Sequence, residues 1–174
     1  CYKYPAKFSL VWAMNPCPCW YMTDPDKECI CSVNQIANYR GRLSWPLLDR
    51  VDMFIEVPKV PTEDFRKAKG TLAESSLEVQ KRVQNAKDLQ LKRFIGTNLS
   101  ANSEMSSKEV KNICILDSEG EWILSQAVKS MDLSARAYYR ILKLSRTIAD
   151  LEWSEDIKTQ HILESLSYRK KDEN

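Results

Sequence analysis

The hydrophobic periodicity of the sequence changes once, at Pro61, and this change constrains the fold more than any other feature. Before Pro61, the segments 8–13 and 51–57 carry the continuous or alternating apolar residues that are typical of strands. After Pro61, apolar residues recur every three or four positions in four stretches separated by polar turns, as in helices. The pattern predicts an α/β unit over 1–61 followed by an all-helical bundle over 62–174, with a predominantly helical chain as the result.

Local capping signals predict where the helices begin. Ser75 and Ser106 are each followed three residues later by a glutamate, which is the spacing of a capping box. They predict one helix near 76–94 and a short one that ends near Cys114. Further helices are predicted from about Val33 to Gly41, from Asp117 to about Met131, and after Ser134 and Ser154. The predicted buried stripes are Val79, Val83, Ala86 and Leu89 in the first bundle helix, and Tyr138, Ile141, Leu142, Ser145, Ile148 and Ala149 in the fourth.

The composition is that of a folded, soluble chain. Of 174 residues, 43% are apolar and 29% are charged, and the net charge of +2 is too small to indicate a nucleic-acid partner by itself. No apolar run approaches the roughly 20 residues of a membrane span. We therefore expect a cytoplasmic protein without membrane contact. Because the chain opens with Cys1 rather than Met and has no signal-peptide pattern, we expect it to begin inside a longer polypeptide.

Four of the six cysteines fall in one short loop, 17–31, as two Cys-x-Cys pairs. Four thiolates are the donor set of a closed tetrahedral Zn²⁺ site. Cys17, Cys19, Cys29 and Cys31 are therefore candidate ligands of a structural metal. Cys-x-Cys pairs are less diagnostic than Cys-x-x-Cys pairs, so two alternatives stay open, namely reduced thiols without a metal and disulfides.

Three polar residues are candidates for ligand binding. Asn15 follows the first predicted strand, where α/β sheets present polar groups to ligands, although Asn-Pro is also a common turn. Arg50 precedes the second predicted strand and could face a phosphate or a carboxylate; the alternative is a solvated or ion-paired arginine. Arg136 shares a helix face with Arg140 and Lys143, and their spacing alone is more typical of a solvated face than of a phosphate site.

Two other features of the sequence, the single histidine and one basic helix, give only weak functional predictions. His161 is the only histidine, and no acid, serine or cysteine is spaced to form a catalytic triad with it, so we interpret it as a packing or surface residue. The helix near 76–94 is basic but is interrupted by Glu78 and Asp88, so it predicts a DNA contact only weakly. Its basic residues are Lys81, Arg82, Lys87, Lys92 and Arg93.

The sequence contains no P-loop. That motif needs Gly-x-x-x-x-Gly-Lys-Ser/Thr, so that backbone N–H groups surround the phosphates and the lysine reaches them. The four glycines lie at positions 41, 70, 96 and 120, and none of them precedes a lysine. No segment of this chain can therefore hold nucleotide phosphates in that way.

Three separated motifs resemble the bacterial magnesium-chelatase-like ComM/YifB family, over about 4–169. They are Ala13-Met14-Asn15-Pro16-Cys17-Pro18-Cys19, Pro46-Leu47-Leu48-Asp49-Arg50-Val51-Asp52, and the stretch 133–142 followed by 146–151. The family usually has glycine where this chain has Trp20 and Trp45. Both replacements remove conformational freedom, which affects the local loop geometry.

The resemblance implies an AAA+ fold, with the C-terminal part of the α/β core at 1–61 and the helical lid at 62–174. It implies that Asn15 is the sensor 1 residue that orients the attacking water. Arg50 would be the arginine finger offered to the ATP of a neighbouring subunit, and Arg136 the sensor 2 residue. Since the finger acts on a neighbour, the resemblance also implies a ring-shaped homo-oligomer.

The same resemblance implies a parent protein that hydrolyses ATP with Mg²⁺ and acts on DNA, in branch migration during natural transformation. Full-length relatives add a Lon-protease-like domain and the Walker motifs, so this chain alone is expected to be inactive or weak. Two alternatives remain. One is the magnesium-chelatase ATPase subunit of tetrapyrrole synthesis, whose counterpart loop is not rich in cysteine, and the other is a zinc-stapled DNA-binding module.

Overall fold

The computed structural model describes residue 2 and residues 8–60 and 74–169. In these ranges the chain forms one 3₁₀ helix, η1 (Asn102–Glu104), and seven α-helices. The α-helices are α1 Val33–Arg40, α2 Trp45–Leu48, α3 Ser76–Arg93, α4 Ser107–Ile113, α5 Ser118–Ser130, α6 Ala135–Leu151 and α7 Thr159–Ser167. The predominantly helical prediction is confirmed. The predicted domain boundary at Pro61 lies outside the described residues. None of the described helices combines the length and apolar character that crossing a bilayer requires.

Neither predicted strand forms within the described residues. The segments 8–13 and 51–57 have no regular secondary structure. Most of their apolar side chains are exposed, with 74% of Phe8 and 91% of Val11 accessible to solvent, and only Val51 and Phe54 are half-buried. The strand predictions are wrong here because a buried strand requires neighbouring strands for its hydrogen bonds and for its burial, and no described segment pairs with either one.

Serine capping boxes start three of the helices. At the start of α3, Ser75 Oγ accepts the Glu78 N–H at 3.3 Å, and the Glu78 carboxylate accepts the Ser75 N–H at 2.8 Å. Ser32 and Ser106 form the same arrangement before α1 and α4. These boxes satisfy N–H groups that have no acceptor inside the helix. The starts of α1, α3, α4, α5 and α6 agree with the sequence predictions.

The last helix begins later than predicted. Ser154 does not cap it; the cap is built from His161, whose Nδ1 accepts the Lys158 N–H at 3.0 Å. His161 Nε2 lies 3.0 Å from the Glu152 carboxylate, and since Nδ1 is an acceptor, Nε2 carries the donated proton. The ring is fully buried. His161 is thus the packing residue that the sequence indicated, with a capping role that the sequence did not reveal.

Helix α6 is the centre of the bundle and contacts α3, η1, α4 and α7. Its predicted apolar face is buried, except that Tyr138 is half-buried. The stripe predicted for α3 is correct only at its C-terminal end, because Val79 and Val83 are exposed where no described element covers them. The core around α6 contains Phe94, Met105, Val110, Cys114, Leu124, Ile157 and Ile162.

A buried carboxylate joins several elements near the C-terminal end of α6. Asp150 is only 1% exposed and forms a two-bond ion pair with Arg93 of α3, at 2.8 and 2.5 Å. Arg146 Nε lies 3.1 Å from the same carboxylate, and its other nitrogens donate to two main-chain carbonyls in the loop before α7. Asn102 of η1 donates to the second carboxylate oxygen at 2.8 Å. The charges are therefore paired and hydrogen-bonded, which offsets the cost of burying them.

Asp150→Asn should strongly destabilise the bundle. The change keeps the side-chain size but removes the negative charge between Arg93 and Arg146, and breaking a buried ion pair costs about 3–5 kcal/mol. Urea unfolding of the purified chain measures the loss. Glu74→Gln is the matched control, because it removes the exposed partner of Arg82 at 2.6 Å and should barely change the unfolding midpoint. Similar losses in both variants would contradict the importance of the Asp150 network.

Candidate functional site

The four sulfur atoms of the loop 17–31 converge on one point. The Cys17 Sγ lies 3.4 Å from the Cys19 Sγ and 3.6 Å from the Cys29 Sγ, and the last two are 3.5 Å apart. With Cys31 included, all four sulfur atoms lie within 4.8 Å of one another. Zn–S bonds of about 2.3 Å in a tetrahedron place sulfurs about 3.8 Å apart, so the cluster has close to the size of a zinc site. All four cysteines are free, and the separations far exceed the disulfide bond of about 2.05 Å. Cys17 is buried, and the other three are half-buried.

Backbone hydrogen bonds stabilise negative charge on this cluster. The bond from Tyr21 is the largest reason that the pKa of Cys19 falls to about 6. Burial raises the pKa of Cys31 to about 12, and the hydrogen bond with the Cys19 sulfur contributes to this rise. The adjacent thiols thus compete for negative charge, whereas a bound divalent cation would favour the thiolate form of all four.

Contacts with other segments hold the cysteine loop in place. Lys59 Nζ lies 3.1 Å from the Asp24 carboxylate and 2.9 Å from that of Asp26. Arg40 at the end of α1 donates to the Met22 sulfur at 3.4 Å. With four protein donors there is no open coordination position, so a metal at this site would be structural.

Trp20 adopts a backbone conformation that favours glycine. Its φ is +73°, and a Cβ in this left-handed region costs about 1–2 kcal/mol. The Trp20 N–H closes a turn with the Cys17 carbonyl at 3.2 Å, so the strain lies in the turn that brings Cys17 and Cys19 together. The Trp20 side chain is largely exposed, so its burial does little to offset the strain. Tryptophan at position 20, where the family usually has glycine, therefore strains the backbone of this turn.

The purified chain should bind about one zinc ion, because four convergent thiolates complete a tetrahedral site. Elemental analysis, with thiol titration before and after addition of a chelator, measures the metal and its ligands. Cys29→Ser should lose the metal, whereas Cys114→Ser, which removes a buried thiol of the bundle, should retain it. A metal-free chain whose cluster thiols react without chelator would refute the site.

Trp20→Gly should tighten metal binding about tenfold, since relief of about 1–2 kcal/mol of backbone strain favours the folded loop. Competition with a chromogenic chelator gives the affinity. The matched control is Trp153→Gly, because Trp153 also has a positive φ of +58° but lies in the helical bundle. The control should leave zinc affinity unchanged, and an equal gain in both variants would show that the strain at Trp20 is unrelated to the metal.

The three candidate ligand-binding residues are all exposed. Asn15 forms no hydrogen bond with any described residue. Arg50 lies in the turn after α2, where its N–H bonds to the Leu47 carbonyl at 2.9 Å and its guanidinium donates to the Pro46 carbonyl. Arg136 lies in the first turn of α6 and has no hydrogen-bond or ion-pair partner among the described residues. No described acidic group pairs with any of these three side chains.

The structure brings the turn of Arg50 against the start of α6. Ser134, the N-cap of α6, donates to the Asp49 carboxylate at 3.2 Å, and Arg140 donates to the Asp49 carbonyl at 2.5 Å. Arg50 and Arg136 therefore lie on adjoining elements although they are far apart in sequence. Asn15 is linked to this region only indirectly: the residues before it line a cavity of about 290 Å³ whose other wall includes Leu47 of α2.

The sequence did not reveal the contacts that two residues on the same helix face as Arg136 make. Arg140 is half-buried against the Arg50 turn, and Lys143 donates to the Ser103 carbonyl at 2.9 Å. The interpretation of the row as a solvated face is thus correct only for Arg136. A sequence signal existed for Arg140, which lies within the third family-like motif, but no signal identified its partner.

Two of the basic residues of α3 that were candidates for a DNA contact are paired with acidic residues of the chain. Arg82 pairs with Glu74, and Arg93 is committed to the Asp150 network. Three exposed lysines on α3 have no partner among the described residues, namely Lys81, Lys87 and Lys92.

Comparison with known proteins gives two family matches that together cover most of the chain. Residues 1–65 match magnesium chelatase, subunit ChlI, and residues 73–169 match the C-terminal part of the same subunit. The competence protein ComM of Haemophilus influenzae is 40% identical over 167 residues, which is 96% of this chain and 31% of ComM. The uncharacterized protein YifB of Escherichia coli is 39% identical over 95% of this chain and 31% of its own length, and its Salmonella typhimurium counterpart is 36% identical over the same shares. The chain thus spans about a third of the length of these relatives.

Proposed function

Because this chain belongs to the magnesium chelatase subunit ChlI family and is similar to ComM and YifB, we propose that it supplies the sensor 1, arginine-finger and sensor 2 residues of a ring-shaped ATPase. In this proposal Asn15 orients the attacking water. Arg50 stabilises the charge on the transferred phosphoryl group in a neighbouring subunit, and Arg136 contacts the γ-phosphate. ATP and Mg²⁺ are the expected cofactors of the longer protein.

The proposal depends mainly on the exposure of Arg50 and Arg136 and on their lack of acidic partners among the described residues. Both guanidinium groups are exposed, neither pairs with a described acid, and they lie on elements joined by the Ser134–Asp49 hydrogen bond. Guanidinium groups without a protein counter-ion are suited to bind phosphate oxygens, since their planar donors match that geometry. The chain has no P-loop, so the phosphates would be held mainly by other parts of a longer protein.

The cysteine cluster has a structural role in this proposal. Its four sulfurs fit the donor set and size of a Zn²⁺ site, and no other described group of His, Cys, Asp or Glu converges in this way. Zinc would stabilise a loop that directly follows Asn15 in sequence. The metal would therefore help to fix the position of Asn15 and would not take part in the chemistry.

DNA is the proposed target of the longer protein, in branch migration during natural transformation. The support is the resemblance of the three motifs and the name of one relative, a competence protein. The exposed lysines of α3 supply a modest basic surface that agrees with this target. We place the protein in the cytoplasm as a ring homo-oligomer for the same reasons.

Two other functions are compatible with part of the observations. The magnesium-chelatase ATPase subunit of tetrapyrrole synthesis matches the family description, but the cysteine cluster favours the ComM-like branch. A zinc-stapled DNA-binding module would rely on α3, where Arg82 and Arg93 are already paired within the chain. Nucleotide-independent, salt-sensitive DNA binding by this chain alone would favour the module.

Arg50→Ala in the full-length protein should reduce ATP turnover about 10³-fold or more, as expected for loss of an arginine finger. The assembly should remain intact, because the Arg50 side chain bonds only to the carbonyl of its own turn among the described residues. Steady-state hydrolysis and size-exclusion chromatography measure the two effects. The control is Arg82→Ala, which removes an exposed ion pair of α3 and should keep wild-type turnover. Wild-type turnover in Arg50→Ala would refute the finger assignment.

A further inference from the structure

The turn that carries Arg50 is held from outside by a second arginine. Arg140 of α6 donates from Nη1 to the Asp49 carbonyl at 2.5 Å, with the Val51 carbonyl at the 3.5 Å limit. Its Nε lies 3.2 Å from the Asp52 carboxylate. The two carbonyl oxygens belong to the residues immediately before and after Arg50. Arg140 therefore contacts the main chain on both sides of Arg50 without contacting the Arg50 side chain.

Further bonds attach the same turn to two helices of the bundle, at the start of α6 and just past the end of α7. Ser134 donates to the Asp49 carboxylate at 3.2 Å, and Arg169, just past α7, donates to the Val51 carbonyl at 3.0 Å. The Phe54 N–H donates to the Tyr168 carbonyl at 2.8 Å. We use the name finger clamp for the donors from the bundle, which are Ser134, Arg140 and Arg169.

Burial separates the clamp from the residue that it holds. The Arg140 side chain is 20% exposed, and Asp49 and Val51 are half-buried, whereas Arg50 is exposed. Hydrogen bonds that involve a charged donor are about twice as strong as neutral ones and gain further from partial burial. The main chain around Arg50 is thus fixed, while its exposed guanidinium bonds only to the Pro46 carbonyl and has no charged partner among the described residues. This is the arrangement expected of a preorganised catalytic group.

We propose that Arg140 is a positioning residue for Arg50, and that through it the first turns of α6 couple the orientation of the lid to the arginine finger of the same chain. The inference rests on the proposed function and deepens it. Arg136 and Arg140 are four residues apart, so they are neighbours on one face of a continuous helix. A movement of the turn that bears Arg136 therefore moves Arg140 and, with it, the Asp49–Val51 main chain.

The first experiment tests the clamp by itself. Hydrogen exchange of the full-length protein, followed over residues 49–54, reports whether the Phe54 amide stays protected. Arg140→Gln, which keeps much of the aliphatic stem but cannot replace the guanidinium fork, should accelerate exchange in this segment at least several-fold. Arg82→Ala is the control and should leave exchange there unchanged. Wild-type protection in Arg140→Gln and in Arg140→Ala would overturn the clamp, whatever the ATPase activity.

The second experiment tests positioning by a double-mutant cycle on ATP turnover. Arg140→Gln should lower kcat about 10–100-fold with KM changed less than twofold, because misplacement of a catalytic group by about 1 Å costs about 10²-fold. In the Arg50→Ala background the same change should have almost no further effect, since Arg140 acts through Arg50. Thermal unfolding of each variant separates these effects from loss of the fold.

The possible results distinguish the two proposals. Additive effects of Arg140→Gln and Arg50→Ala, or unchanged kcat in Arg140→Gln, would overturn the positioning role while the finger assignment stands. Wild-type turnover in Arg50→Ala would overturn both the finger and the positioning role. In that case the exchange experiment still decides whether the clamp holds the turn.

Discussion

The buried carboxylate of Asp150 is the constraint on which the rest of the bundle depends. It fixes the C-terminal end of α3 through Arg93, η1 through Asn102, and, through Arg146, the loop that leads into α7. An apolar core alone permits helices to slide or rotate at small cost, whereas displaced partners of a buried carboxylate leave charges unpaired. The network therefore selects one arrangement of the helices around α6. The contacts at the other end of α6 lie on the same continuous helix.

The cysteine loop, unlike the helical bundle, has few buried apolar residues to stabilise it. Around it, large apolar residues such as Phe8, Val11 and Ile55 are exposed, so this part of the described chain has little core of its own. A segment without a core cannot offset the conformational entropy of folding by burial. A metal held by the four convergent sulfurs would provide another source of stability, because metal binding to a site that exists only in the folded loop contributes directly to folding. The same binding free energy would offset the backbone strain at Trp20.

Features set by local interactions could be predicted from the sequence, and those set by distant contacts could not. The capping boxes at Ser75 and Ser106 involve residues three apart, so sequence alone located α3 and α4. The strand predictions for 8–13 and 51–57 are wrong, because the pairing of one strand with another depends on segments far away in the chain. In the candidate site, the four cysteines were predictable from their clustering. The role of Arg140 was not, since a helical row of charges has no sequence feature that says which element will cover it.

Helix α6 connects the Asp150 network to the turn that carries Arg50. Its 17 residues span about 25 Å at about 1.5 Å per residue, and a continuous helix of this length transmits displacement along its axis. At one end it is fixed by the network around the buried carboxylate of Asp150. At the other end, near Arg136, it is attached to the Arg50 turn by a few bonds that water can partly reach. Moving a partly exposed turn costs less free energy than separating the partners of a buried carboxylate. A force applied near Arg136 is therefore expected to move the Arg50 turn, and to leave the packing of the bundle in place.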